Sequence, residues 1–289
     1  MSPRRLVLAV LFGLLAAAAV VLGAGELLSR PAPRTVGAPP ADFPARQVLI
    51  GDATGPVVAG WFMPGQPGRG VVLLLHGVRA DRTQMLARAR FLHRAGYASL
   101  LVDLPAHGES AGERITFGAR EAAGVRAALA YLRRNLPAER VGVIGVSLGA
   151  ASLVLAQPVP APDAVVLESM YPTIGEAVAN RLAMRLGPLG AGLAPALLWQ
   201  LPLRTGVGAH ALRPIDGLAR LGAPVLIASG TGDRHTPWPE TRRLFDAAAH
   251  PKELWPVDGA AHVDLHAFAP HAYEARTLRF LGAHLRGGD

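Results

Sequence analysis

The pentapeptide Gly145-Val146-Ser147-Leu148-Gly149 closes an apolar run, Val141 to Val146, and opens a helix-forming one that includes Ala150, Ala151, Leu153, Val154 and Leu155. A serine hydroxyl becomes a useful nucleophile when a sharp strand-to-helix turn exposes it and a base can take its proton. Gly145 and Gly149 suit such a turn, because a side chain at either position would collide with the neighbouring strand and helix. The pentapeptide alone is a weak signal, and its strand-turn-helix context is what strengthens it. Among the ten histidines, His262 follows the apolar run Leu254 to Val257 through Asp258-Gly259-Ala260-Ala261. Asp233 lies just past Val225 to Ala228, in Gly230-Thr231-Gly232-Asp233-Arg234-His235-Thr236-Pro237. A serine, a base and an acid that orients the base, each placed after its own strand, would meet at one edge of a sheet and could attack an acyl carbon. His235, His250, His266, His271 and His284 are expected to be solvated or capping residues.

The elements that must bring these three together are short apolar runs alternating with stretches of helical period. Val71 to Leu75, Ala98 to Val102, Val141 to Val146, Ala164 to Leu167, Val225 to Ala228 and Leu254 to Val257 are expected as strands buried on both faces. Ala122, Val125, Leu129, Leu132 and Leu136 recur at helical spacing, as do Met85, Ala89 and Leu92 after an Asp81 cap. This alternation predicts a mostly parallel, doubly wound α/β sheet with helices on both faces. Gln47 to Ile50 and Val57 to Met63, separated by a Gly-rich turn, read as an antiparallel hairpin at the sheet edge. Residues 172–214 hold no strand candidate but many large apolar side chains, so they are expected to form an inserted helical lid that packs on the domain, lines an apolar pocket, or does both.

Ahead of this domain, Arg4 and Arg5 precede an apolar stretch from Leu6 to Gly25 that Glu26 is expected to end. It is long enough to cross a bilayer as a helix and longer than the apolar part of a usual secretory signal. The expected organisation is a membrane anchor or signal over residues 1–28, a Pro/Ala-rich linker over 29–45, and a single domain over 46–289. The paired arginines favour an extracytoplasmic domain. The chain has no Cys, which removes cysteine nucleophiles and Cys-ligated zinc. Its formal charge of +8 comes from dispersed arginines with no nucleic-acid motif, so no nucleic-acid partner is expected.

The order Ser, Asp, His is that of α/β-hydrolases. From about Arg46 onward the chain resembles the bacterial serine aminopeptidase-like group of that superfamily, near its membrane-associated hydrolases. The matching residues are His76-Gly77-Val78, Asp103-Leu104-Pro105-Ala106-His107-Gly108-Glu109-Ser110, the Ser147 pentapeptide, the Asp233 loop and Gly259-Ala260-Ala261-His262. Pro105 departs from the family, which often carries Arg there. The resemblance implies an oxyanion hole formed by the backbone N–H groups of Val78 and Leu148, with His76, Gly77, His107 and Ser110 supporting the site and no metal or organic cofactor. It implies hydrolysis of a carboxylic ester or thioester with a small-molecule or lipid-like acyl group. A serine aminopeptidase, for which Glu168 or Glu176 could hold the chain terminus, is the alternative, as is a non-catalytic membrane-tethered binding protein on the same fold.

Overall fold

A computed structural model describes residues 2–51 and 57–286. Eight strands form one sheet in the order β10-β9-β8-β7-β4-β5-β3-β2. They are β2 (Arg46–Ile50), β3 (Val58–Met63), β4 (Val71–Leu75), β5 (Ala98–Val102), β7 (Val141–Val146), β8 (Ala164–Glu168), β9 (Val225–Gly230) and β10 (Lys252–Val257). Two short strands, β1 (Ala32–Pro33) and β6 (His107–Gly108), pair with each other outside it. From β5 through β4, β7, β8 and β9 to β10 every pairing is parallel, while β3 runs antiparallel to both β5 and β2. The edge hairpin therefore forms as expected, and its turn lies outside the described residues.

The two faces of the sheet build two apolar cores. One packs against α3 (Ala119–Asn135), α4 (Leu148–Ala156) and α8 (Trp238–Ala247), the other against α2 (Leu86–Arg94) and the C-terminal helix Pro270–Leu285. Strands β3, β4, β5, β8 and β9 are buried along their whole length, as strands covered on both faces must be. β10 differs from the expectation: as an edge strand it is only half-covered, and Pro256 is exposed. Asp81 does cap the segment before α2, accepting from the N–H of Thr83 at the start of a 3-10 turn, Arg82–Met85.

Residues 172–214 are helical, with α5 (Ile174–Leu186), α6 (Ala194–Leu198) and α7 (Leu201–Thr205) joined by 3-10 turns. The first helix, α1, runs Pro3–Ser29 and is long and apolar enough to cross a membrane. Glu26 does not end it. Its carboxylate is held by Arg114 at 3.0 Å and also pairs with Arg204 of the lid, so the last turn is anchored and continues to Ser29, whose hydroxyl caps back onto the carbonyl of Gly25. A Cβ on Gly25 would lie 2.2 Å from Gln200, so the glycine allows this end of α1 to settle against the lid.

The Pro-rich segment after α1 packs more closely than its composition suggests. Phe43 is buried, Glu109 accepts from the N–H groups of Val36 and Gly37, and the Trp61 indole donates to the Gly37 carbonyl. A chain that cannot form a helix here has its backbone groups satisfied instead by a short strand pairing and by these side chains.

Candidate active site

Strand β7 delivers Ser147 to a turn in which the serine takes φ 49°, ψ −105° before α4 begins. A non-glycine residue at positive φ is strained, and its persistence requires surroundings that leave no alternative. Here the flanking residues supply them. A Cβ on Gly145 would come within 2.7 Å of the N of Ala150, and one on Gly149 within 2.5 Å of the Leu75 carbonyl oxygen. The turn is thus clamped between α4 and the end of β4, and the Ser147 N–H is fixed at 2.8 Å from the Glu168 carbonyl.

Asp233 and His262 arrive from the ends of β9 and β10. Gly230 makes their approach possible: a Cβ there would stand 2.0 Å from the Ala260 carbonyl oxygen. The two loops are tied by Thr231 N–H to Val257 O, Gly232 N–H to Ala260 O, and Gly259 N–H to the Thr231 hydroxyl. The outcome is a 2.7 Å hydrogen bond between His262 Nδ1 and Asp233 Oδ2. Asp233 also accepts from the N–H groups of His235 and Thr236 and from the Thr236 hydroxyl. Burial works to raise the pKa of this carboxyl. The hydrogen bond and charge of His262, with the Thr236 donors, outweigh burial and hold it below the usual carboxylate range. Such an acid keeps its charge and fixes the proton of the imidazole on Nδ1, leaving Nε2 as an acceptor. Among the described residues no hydrogen bond yet joins Nε2 to the Ser147 hydroxyl; such contacts commonly tighten only when substrate is bound.

The loop after β4 faces the serine. His76 is fully buried, with Nδ1 2.7 Å from the Gly77 carbonyl and Nε2 accepting the Leu104 N–H at 3.0 Å. Burial first, then the neighbouring His107, pushes its pKa down to about 3. A neutral ring with both nitrogens occupied ties two loops together and has no free nitrogen for proton transfer. The Gly77 N–H is bound by Gln84. Among the described residues no acceptor takes the N–H groups of Val78 or Leu148, so both remain available to an oxyanion. His107 packs edge-on against His76, and Ser110 bridges Asp103 O to the Ala59 N–H, so both support the loops. Pro105 packs against α3 at Gly124, where a Cβ would be 2.6 Å from its ring.

Ser147 opens into a cavity of about 520 Å³ whose walls come from three sources. The body contributes Val78, Phe117 and Tyr171; the lid contributes Val178, Leu182, Met184 and Leu197; and α1 contributes Ala24, Leu27 and Leu28. His235 also lines it. Rather than being a solvated loop residue, His235 stacks on the His262 ring, centroids 4.7 Å apart and planes 8° from parallel. Its position two residues beyond Asp233 was the one available signal. The lid does both things expected of it, and it also exposes much apolar surface, with Leu189 91%, Leu203 73% and Trp199 67% accessible.

A strained serine turn after β7, a carboxylate after β9 and an imidazole after β10, on a mostly parallel sheet of this order, give the chain the architecture of the α/β-hydrolase superfamily. The X-Pro dipeptidyl-peptidase (S15) family matches residues 74–181. An uncharacterized protein of Mycobacterium tuberculosis is 32% identical over 223 residues, covering 76% of this chain and 73% of the relative. The uncharacterized protein YqkD of Bacillus subtilis is 23% identical over 237 residues, 81% of this chain and 78% of that protein. Among solved structures, the Pyrococcus furiosus esterase Pf2001 superposes with a TM-score of 0.72 at 23% identity, covering 89% of this chain and 98% of the esterase. The α/β hydrolase GrgF from Penicillium superposes with a TM-score of 0.66 at 19% identity, covering 84% of this chain and 99% of that one. At these identities the structural likeness speaks to fold.

Proposed function

We propose that this chain is a membrane-anchored serine hydrolase that cleaves carboxylic esters or thioesters through an acyl-enzyme on Ser147, with its catalytic domain on the extracytoplasmic side. The observation that carries the reading is the strained Ser147 turn opening into an apolar cavity beside an imidazole held by a buried carboxylate. His262 Nε2 takes the Ser147 proton as the oxygen attacks the acyl carbon. The oxyanion accepts from Val78 and Leu148 N–H, and the alcohol or thiol leaves with the proton from His262. Water, deprotonated by the same nitrogen, then releases the acid. Each oxyanion donor is expected to contribute about 10²- to 10³-fold in rate. The side chains named need no metal or organic cofactor for these steps.

An ester is favoured over a peptide because the carboxylates that could hold a chain terminus are engaged elsewhere. Glu168 is buried against Arg88 and Tyr273, and Glu176 is bonded to Thr173 and Arg243. The S15 match over the Ser147 region is what favours the peptidase reading. The test uses the full chain in detergent, because α1 forms part of the cavity wall. A fluorophosphonate probe should label the wild type and leave Ser147→Ala unlabelled. A folded wild type that resists the probe would instead support a non-catalytic binding protein.

A further inference from the structure

The acyl cavity is apolar along most of its wall, yet every charged side chain that lines it is an arginine. Arg79, Arg181 and Arg185 face it and, among the described residues, no Asp or Glu does. Arg79 is committed elsewhere: its guanidinium donates to the carbonyls of Leu27 and Arg30, which close the C-terminal end of α1. Arg181 is not. It is half-buried on α5, and its one side-chain hydrogen bond goes to the Ala177 carbonyl one turn back, at 2.8 Å. Among the described residues it has no carboxylate partner, although it carries five donors in a planar fork. Arg185 lies one turn further along the same helix and lines the same cavity from its exposed side, so the two guanidiniums share one face of α5. Burial pushes the Arg181 guanidinium down from its ordinary value, with Tyr171, Asp233 and Glu240 pulling the other way. A guanidinium kept partly out of water, with Asp233 and Glu240 acting on it only at longer range and no carboxylate bonded to it among the described residues, lines the same cavity as Ser147 and suits an anionic group.

The geometry points to an acyl ester that itself carries an anionic group, carboxylate or phosphate, which Arg181 and Arg185 bind while the apolar walls hold the acyl chain and Ser147 attacks its carbonyl. The inference rests on the hydrolase reading above. The chemistry of the step is unchanged by it: the Ser147–acyl bond forms, the ester C–O bond breaks, and water later replaces the serine. What changes is selection, because a neutral ester leaves the two arginines unpaired. The anion can sit at the far end of the acyl chain or on the alcohol, and the two cases can be told apart.

Three esters of the same acyl length separate them: 4-nitrophenyl octanoate, the mono-4-nitrophenyl ester of octanedioic acid, and 5-octanoyloxy-2-nitrobenzoic acid. The full chain in neutral detergent should hydrolyse one of the two anionic esters with a kcat/KM about 10- to 100-fold above the neutral one, the span expected of charge-assisted hydrogen bonds to a guanidinium. The preferred ester identifies the side that carries the charge. In Arg181→Gln the anionic-to-neutral ratio should collapse toward one, and Arg181→Lys should restore part of it. A purely structural role for Arg181 would lower all three rates together and leave the ratio intact. A wild type that turns over the neutral ester as fast as both anionic ones overturns the anion site while leaving the hydrolase reading standing. Absence of both turnover and fluorophosphonate labelling overturns both.

Discussion

At Asp233 one carboxylate oxygen takes the N–H groups of His235 and Thr236, and the other takes the Thr236 hydroxyl and the His262 ring. An amide in its place would present an NH₂ to the ring nitrogen and leave the imidazole proton on the wrong side. Asp233→Asn is therefore expected to keep the fold and to reduce kcat on a simple ester by about 10³- to 10⁴-fold. A loss of less than tenfold, measured by steady-state hydrolysis, would remove Asp233 from the mechanism. The placement of Ser147, Asp233 and His262 at one edge of the sheet was legible in the sequence because each lies in the turn or loop after an apolar run that becomes a strand. The stacking of His235 on His262 was not, since it depends on a ring that arrives from a different strand 27 residues later. The engagement of Glu168 by Arg88 was hidden for the same reason, the partners being 80 residues apart.

Element boundaries followed the sequence closely for the central strands, where apolar runs are bounded by Gly, Pro or charged residues. They followed it less well at α1. Glu26 looked like a terminator because a carboxylate is costly in an apolar environment, but Arg114 and Arg204 compensate it and three further residues stay helical. This end of α1 packs on α6 and α7 and furnishes Ala24, Leu27 and Leu28 to the cavity. A chain beginning at Arg30 should accordingly lose preference for long acyl groups. Removing the leucine contacts forfeits about 1–2 kcal/mol of apolar burial, roughly a tenfold drop in kcat/KM for eight- to ten-carbon esters relative to acetate or butyrate. A chain-length profile unchanged by the truncation would show that α1 serves only as an anchor. The exposed Trp199, Leu203 and Leu189 sit on the same lid that α1 touches, which places exposed apolar side chains of the domain on the segment that packs against the helix suited to a bilayer.

Across the whole molecule, stability is tied to pH through the buried histidine that joins the loops around the site. His76 is depressed to about 3 in the folded chain, whereas an unfolded histidine titrates near about 6.5. Between these values the unfolded chain binds a proton that the folded chain refuses. Stability from this group is therefore constant above roughly pH 6.5 and falls as pH drops toward 3, by up to about 1.4 kcal/mol per pH unit. Urea unfolding at pH 7 and pH 4.5 should show His76→Asn less stable than wild type at the higher pH but with a shallower loss on acidification. Equal slopes in the two proteins would mean that His76 is not held neutral.

Local pattern by itself determined the strands, the crossover helices, the strained serine turn and the strand ends that carry its partners, because each is written in contiguous residues and in the period of the element they form. It also determined an apolar helix long enough to cross a membrane. Only the tertiary structure decided what walls the site: the lid and the end of α1 closing one cavity, His235 laid on His262, and arginines lining the same cavity as Ser147 with, among the described residues, no Asp or Glu beside them in its wall. Those features join residues far apart in the chain, and such contacts are set by how whole elements pack, which no single stretch of sequence encodes.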